Sequence, residues 1–327
     1  IFPLEVKVRE FLPKIFLAYH LIKNLDCEII LCKSRLALSK LHQMKNVIFF
    51  DKSLSIHKIN LSKKILKKNF LIVLDEEGPI TNWPKLMLQA RLPKQILNKT
   101  NIYFVRNKHE KQIIKNIFKS KKNNIFPFGH PRYDLLKKPT INLFNNEVNI
   151  IKKRYKNLVF IPSSFGHDLK LGQENFYHEL RKSYSLNKTL SKSVEDLIVL
   201  YENDLENYEA LINLTIKLAK KFDKLNFVFR PHPVQDIKSV KKRFINAPKN
   251  LHITYQFSIT PWIIASNYYL SAHCTSIFEA LCLNKKIFTF LKTNKGFGIH
   301  KKRHLGGYFF SDQKKMEILF EKIIQNK

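Results

Sequence analysis

The chain predicts an α/β fold of two Rossmann-type, doubly wound parallel-sheet domains that face a central cleft. Three observations predict it. Strand-sized apolar runs alternate with longer stretches of helical spacing, the pattern of a parallel sheet covered by helices. The alternation pauses once, in the polar stretch KKPTINLFNNE at 137–147, and then resumes. Polar and charged residues stand directly after several of the apolar runs, where open parallel sheets bind their ligands. The boundary is placed near residue 140, giving domains at 1–140 and 141–327.

In the first domain the strand-like runs are IFPLEV (1–6), CEIILC (27–32), NVIFF (46–50), FLIVL (70–74), NIYFV (101–105) and NIFPF (124–128). Pro13, at the head of PKIFLAYHLIKNL, suits the first turn of a helix, where its missing N–H costs nothing. The second domain has LVFIP (158–162), NFVFR (226–230), LHITY (251–255), NYYLS (267–271) and KIFTF (286–290). A long connection separates its first two strands. Its early part, 163–193, has no periodicity and is read as a functional loop or lid. In its later part Tyr208, Ile212, Ile216, Ala219 and Phe222 share one helical face, a core pattern.

Composition narrows the classes. A chain of 327 residues with 44% hydrophobic content buries a full core. Its apolar runs fall far short of the roughly 20 residues that cross a bilayer. The sequence opens on IFPLEV with no visible leader, so the expectation is a cytoplasmic protein. Cys27, Cys32, Cys274 and Cys282 form no C-x-x-C pair and are read as buried reduced thiols. The net charge of +32 points to a polyanion or an anionic membrane face, or else reflects a compositional bias toward Lys. No zinc-finger spacing or aromatic RNA-binding signature accompanies it, and no nucleic-acid partner is expected.

Four groups of residues follow strands in a way that packing does not require. Asp75, Glu76, Glu77 and Gly78 follow FLIVL; Ser163, Ser164 and His167 follow LVFIP; Arg230 and His232 end NFVF; and Ser271, His273, Thr275, Ser276 and Glu279 follow NYYL. They are expected to converge on one cleft. His232 stands between Pro231 and Pro233, which fix the backbone on either side and present the imidazole from a rigid loop. With Arg230 nearby it suits a phosphate, although the same residues would also serve merely to end a strand. Thr275 and Ser276 open a helix, where an anion is favoured; Ser276 with Glu279 also reads as a capping box.

Glu77, Glu76 and Asp75 are candidates for a catalytic base or nucleophile, since crowded carboxylates raise one another's proton affinity. Acids before Gly-Pro also form solvated turns. Asp134 and Asp168 stand behind them as further candidates. After the first strand, Glu5, Lys7, Arg9 and Glu10 are placed to meet an anionic acceptor, or to form a surface loop of mixed charge. No D-x-D pair or His/Cys cluster calls for a metal, and Gly298, Gly306 and Gly307 do not make a dinucleotide fingerprint.

The stretches FRPHP and SAHCTSIFEAL, with GHPRYDLL at 129–136, resemble bacterial cell-surface glycosyltransferases and polyol-phosphate transferases of the GT-B fold. That group includes the CDP-glycerol glycerophosphotransferases, the His-Pro sialyltransferases and the β-Kdo transferases. The opening IFPLEVKVREFLPKIFLAYHL and LDEEG look most like the surface carbohydrate biosynthesis proteins on the Kdo-transferase side. The resemblance runs from residue 1 to about 310.

It implies an acceptor-side first domain and a nucleotide-binding second domain. His232 would contact the donor phosphate, Thr275 and Ser276 would donate to the same group, and Glu279 would lie near the ribose or remain a cap. The implied donor is a nucleotide sugar, with a CMP-activated acidic sugar such as Kdo leading, and no cofactor besides. The implied acceptor is a glycan or lipid-linked chain, with peripheral contact to an anionic inner membrane. The alternatives are polyol-phosphate transfer from CDP-glycerol, a sugar-nucleotide epimerase, and a non-catalytic polyanion-binding protein.

Overall fold

In the computed structural model the chain divides into two compact units, Ile1–Ile141 and Asn142–Lys327. The structure describes residues 1–76, 88–89, 91–118, 124–165, 175, 177–179, 181–182, 194–293 and 307–325. Glu77, Gly78, His167, Asp168, Gly298 and Gly306 lie outside the described residues, as does most of the connection at 163–193.

Unit 1 runs β1 (Phe2–Leu4), α1 (Lys7–Asn24), β2 (Leu31–Lys33), α2 (Ser34–Ser39), β3 (Ile48–Asp51), α3 (Ile59–Leu66), β4 (Phe70–Leu74), α4 (Lys94–Leu97), β5 (Ile102–Val105), α5 (Lys108–Phe118), β6 (Ile125–Pro127) and α6 (Pro131–Asp134). β3, β4, β5 and β6 form one parallel sheet, and β1 pairs with β2 in parallel. Phe50 N donates to Ile1 O at 2.9 Å, which lays β1 beside β3. The strand sequence therefore reverses between β1 and β3, and at such a reversal the two following loops part and leave room for a ligand. Phe49, Leu71, Val73, Tyr103 and Ile125 fill the core with Ile65, Ile96 and Ile114.

Unit 2 runs α7 (Asn145–Arg154), β7 (Leu158–Pro162), α8 (Val194–Lys221), β8 (Asn226–Arg230), α9 (Ile237–Lys242), β9 (Leu251–Ile253), α10 (Ile259–Ala265), β10 (Tyr268–Ser271), α11 (Ile277–Cys282), β11 (Lys286–Phe290), β12 (Tyr308–Phe310) and α12 (Gln313–Gln325). Its parallel sheet is ordered β12-β11-β10-β7-β8-β9, so it reverses between β7 and β10. All five residues of β7 are buried, as befits a central strand covered on both faces. Tyr208, Ile212 and Ala219 of α8 lie in the core, with Ile216 and Phe222 packed at its margin, as the helical spacing requires.

Several expectations need correction. CEIILC shrinks to a strand at Leu31–Lys33, which leaves Cys27 exposed ahead of it. Cys282, on the last turn of α11, is also exposed, and of the four cysteines only Cys274 is buried. β12 was not anticipated, because three residues make too short an apolar run to stand out.

α1 begins at Lys7, so Pro13 lies inside it rather than in its first turn. The Glu10 carboxylate accepts from Glu5 N at 3.0 Å and Val6 N at 3.1 Å, which starts the helix early and outweighs the bond that Pro13 cannot donate. The first half of the helix is also turned against its composition, whereas Leu17, Ala18 and Leu21 beyond it pack on Phe2, Phe50 and Leu74. Glu10 and Lys14 face inward, while Val8, Phe11, Ile15, Tyr19 and Ile22 stand exposed.

Candidate functional site

In unit 1 the reversal between β1 and β3 is occupied by charge. Glu10 is 0% exposed, and Lys14 beside it donates to Pro3 O at 2.6 Å and to Glu10 Oε2 at 3.0 Å. Lys14 Nζ also lies 3.3 Å from Glu76 Oε1, joining α1 to the end of β4. Lys52, after β3, pairs with Glu5 at 2.5 Å and with Glu10 at 3.6 Å. Burial alone would push the Glu10 carboxyl up, but Lys14, the Glu5 N–H and Lys52 outweigh it and hold it low. Glu76 goes the other way: burial raises it, Lys14 offsets part of that, and Glu10 adds to it.

The three acids after β4 therefore part company. Asp75 accepts from Arg91 through Nε at 3.2 Å and through Nη2, and from Tyr103 OH at 2.6 Å, a buried set that commits its carboxylate to structure. Glu76 is 4% exposed, and its Oε2 has no hydrogen-bond partner. Glu77 is outside the described residues. Of the acceptor-side candidates, Glu5 and Lys7 are exposed, and Lys7 lies over the Phe11 ring at 5.6 Å. Arg9 is partly buried, 3.7 Å from Glu10.

His130 belongs to the same place and was given no role by the sequence reading. β6 is followed by Phe128 and Gly129, and Gly129 has φ of +82°, a conformation that side chains resist. The turn brings His130 inward to 5% exposure as the cap of α6, where Nδ1 accepts from Arg132 N at 3.1 Å. Nδ1 is thus the unprotonated nitrogen and Nε2 carries the hydrogen. Nε2 is buried without a hydrogen-bond partner, as is Arg132 Nη2. Burial, then Arg132, Arg106, Lys14 and Arg9, keep the imidazole neutral, well below its usual value. A signal was available, since GHP repeats the His-Pro pair of PHP.

In unit 2 the residues beside β7, β8 and β10 divide into posts and exposed groups. Arg230, 5% exposed, donates Nη1 to Gln256 O and Nη2 to Phe257 O, both at 2.6 Å. Burial lowers its pKa to about 10, so it stays charged at neutral pH while holding the loop after β9. Nη1 and Nη2 each give one bond to that loop, a structural role that the sequence does not announce. His232 is partly buried on a tied turn: its N donates to Gln235 Oε1 at 2.8 Å, and its O accepts from Tyr255 OH and from Gln235 N at 2.9 Å.

Ser163 is buried, its N donating to Arg230 O at 2.8 Å, and Ser164 Oγ next to it has no hydrogen-bond partner. Across the reversal Ser271 and His273 are buried; His273 meets Phe165 edge-on at 4.7 Å and Asp204 at 3.7 Å. Thr275 is exposed. The hydroxyl of Ser276 turns inward, 2.7 Å from Tyr269 OH and 3.0 Å from Cys274 Sγ. The expected capping box is absent: Ser276 makes no side-chain cap, and Glu279, 2% exposed, accepts from Thr260 Oγ1 at 3.1 Å. Burial beside α10 gave Glu279 a better partner than the helix end.

Among the described residues no group of three His, Cys, Asp or Glu side chains is placed to hold a metal ion. No helix among them is long and apolar enough to cross a membrane.

The model of the CDP-Glycerol:Poly(glycerophosphate) glycerophosphotransferase family matches residues 84–247, half of the chain. The chain belongs to that family. For this glycerophosphotransferase-family chain the match takes in GHPR at 129–132 and RPHP at 230–233, so His130 and His232 both fall within it. Comparison with curated proteins finds no matching sequence.

Among solved structures, the S. aureus MnaA–UDP co-structure is similar at 10% identity and TM-score 0.53, covering 94% of this chain and 77% of that one. The Methanocaldococcus jannaschii UDP-GlcNAc 2-epimerase, in complex with UDP-GlcNAc and UDP, is similar at 14% identity and TM-score 0.52, covering 90% and 72%. Both show the same α/β, GT-B-like class of Rossmann fold. The wall teichoic acid polymerase TagF, H548A, is similar at 11% identity and TM-score 0.49, covering 85% of this chain. This family member spans 65% of that TagF chain, less than two thirds of its length.

Proposed function

We propose that the protein is a transferase of cell-surface polymer synthesis that moves a polyol phosphate from a cytidine-diphosphate-activated donor to a hydroxyl of a glycan or lipid-linked acceptor. One observation carries the reading. In a chain of the glycerophosphotransferase family, the sheet of unit 2 reverses between β7 and β10, and Ser163, Ser164, His273, Thr275 and Ser276 stand at the ends of those two strands. A nucleotide diphosphate binds at such a reversal in open parallel sheets. His232, on its tied turn, is the candidate for the donor phosphate. Family membership also puts transfer ahead of epimerisation.

In the reaction the acceptor oxygen attacks the phosphorus that bears the polyol, the bond from that phosphorus to the bridging oxygen breaks, and CMP leaves with the electron pair. The acceptor proton passes to a carboxylate after β4. Glu76 suits that task because burial raises its affinity for a proton. The reading needs no cofactor besides the activated donor.

A second reading, transfer of an acidic sugar such as Kdo from a CMP donor, is favoured by one observation. Glu10, Lys14 and Glu76 come from the two stretches with the Kdo-transferase resemblance, and they meet in a single ion-paired group. The test is CMP release from CDP-glycerol and, separately, from CMP-Kdo, with and without a poly(glycerophosphate) acceptor. Acceptor-dependent CMP release from CDP-glycerol alone supports the first reading. Release from CMP-Kdo alone transfers the assignment to the second. Release from neither, with binding to anionic polymers that salt abolishes, would leave a non-catalytic binding protein.

A further inference from the structure

Lys14 stands between two buried carboxylates. Its Nζ donates to Pro3 O at 2.6 Å and to Glu10 Oε2 at 3.0 Å, and it lies 3.3 Å from Glu76 Oε1. The two acids are not equivalent. Glu10 also accepts from Glu5 N and Val6 N and has Lys52 Nζ at 3.6 Å, so both of its oxygens are engaged. Glu76 meets Lys14 through Oε1, whereas its Oε2 is buried and has no hydrogen-bond partner. Its backbone is fixed too, since Glu76 N donates to Lys52 O at 2.9 Å. One oxygen of this carboxyl is therefore held in place, and the other is left for a donor.

A single lysine beside a buried acid would make a plain ion pair and leave a weak base, because an opposite charge within about 4–6 Å lowers a carboxyl by roughly 1–3 pK units. Glu10 changes that outcome. As the nearer and more fully bonded carboxylate it takes up the charge of Lys14 and disfavours a second negative charge on Glu76. Burial raises Glu76, Lys14 offsets part of the rise and Glu10 restores it; Arg132 of α6 and Arg9 of α1 pull the other way, and His130, held neutral, adds no charge. We propose that Glu10 and Lys14 are positioning residues for the acceptor's proton: Lys14 holds Glu76 by Oε1 and turns Oε2 to the hydroxyl, while Glu10 keeps Lys14 from making Glu76 too weak a base. The hydroxyl proton passes to Oε2, the oxygen keeps the electron pair and attacks phosphorus, and neither Glu10 nor Lys14 gains or loses a proton. The inference rests on the transferase reading and adds to it how its base is held and tuned.

The experiment follows CMP release from CDP-glycerol, with poly(glycerophosphate) as acceptor, by the full chain as a function of pH. Turnover that needs ionised Glu76 is lost as pH falls through the value of that carboxyl, which gives the profile an acid limb. Glu10→Gln takes an anion away from Glu76 and favours its ionised form, so the limb is expected to move down by about one pH unit or more. Lys14→Gln takes a cation away, and the limb is expected to move up by about as much. A merely structural role would lower the whole profile without displacing the limb in opposite directions. Melting curves report folding, and where one variant does not fold the limb of the other decides. Glu76→Gln is expected to lose about 100-fold or more of the turnover. A limb that stays in place in the folded variants overturns the inference and leaves the transferase reading standing. Wild-type turnover by Glu76→Gln overturns the role of Glu76 and the inference with it, again without touching the transfer. No CMP release by the wild type overturns the reading itself, and the inference falls with it.

Discussion

A buried charge announces its type in a sequence but not its partner. Arg230 was legible as an unusual strand ending; that its nitrogens go to Gln256 O and Phe257 O was not, because carbonyls carry no side-chain signature. Arg230→Met should cost about 1–3 kcal/mol in denaturant unfolding, since Phe257 O loses the guanidinium donor while Gln256 O keeps only Trp262 Nε1–H. A variant of unchanged stability would return Arg230 to the donor site. His130 yields a pH dependence. Its folded value lies well below 6.5, so below that pH the unfolded chain binds more protons on it than the folded one. The associated stability is full above about 6.5 and is lost as pH falls through it toward the folded value. Between about pH 7.5 and about 5.5 the wild-type melting temperature should drop more than that of His130→Asn. Arg132, Arg106, Lys14 and Arg9 are the charges that act on the ring, and they are common to both proteins.

At the scale of an element, α1 shows where periodicity misleads. Its apolar residues recur at helical spacing, and the ordinary inference is that this stripe packs inward. Here Glu10 and Lys14, four residues apart, share the inner face with Leu17, Ala18 and Leu21, because the ends of β1, β3 and β4 offer the two charges Glu76, Lys52 and backbone groups. Ile22→Ala, at a residue 56% exposed, should therefore change stability by less than about 1 kcal/mol, whereas Glu10→Ala should cost about 3–5 kcal/mol by leaving Lys14 buried and underpaired. Equal costs in chemical denaturation would mean that the apolar stripe is covered. The strands were more legible, since runs bounded by polar residues give their type, while their ends shifted with pairing. β12 escaped notice, and it begins beside Gly307, where an added Cβ would come within 2.4 Å of Ile287 O. Gly307→Ala should lower the melting temperature by disturbing the β11–β12 edge, and an unaltered melt would show that the backbone yields there.

For the whole molecule, two parallel-sheet units could be read from alternation because each β-α repeat carries its own pattern; strand order and the reversals could not, because they depend on contacts between distant runs. The charge of +32 remains the least specific signal. With about 1 kcal/mol available per Lys or Arg brought to an anionic surface, the protein should sediment with vesicles rich in anionic lipid at low salt. It should be released near 1 M salt, where the screening length falls to about 3 Å, and binding that survives such salt would point to the apolar face of α1 instead. Every strand pair described is parallel, so no strand meets its neighbour across a hairpin. β7 is the extreme case. The contact from Leu158 N to Asn267 Oδ1, at its β10 side, spans 109 residues. On a ribosome adding about 5–20 residues per second, that edge of an entirely apolar strand waits roughly 5–20 s for its partner. Chains that stop short of β10 should therefore be captured by chaperones or precipitate, and the yield of folded protein should depend more on the speed of translation through 163–267 than on the final stability of the sheet.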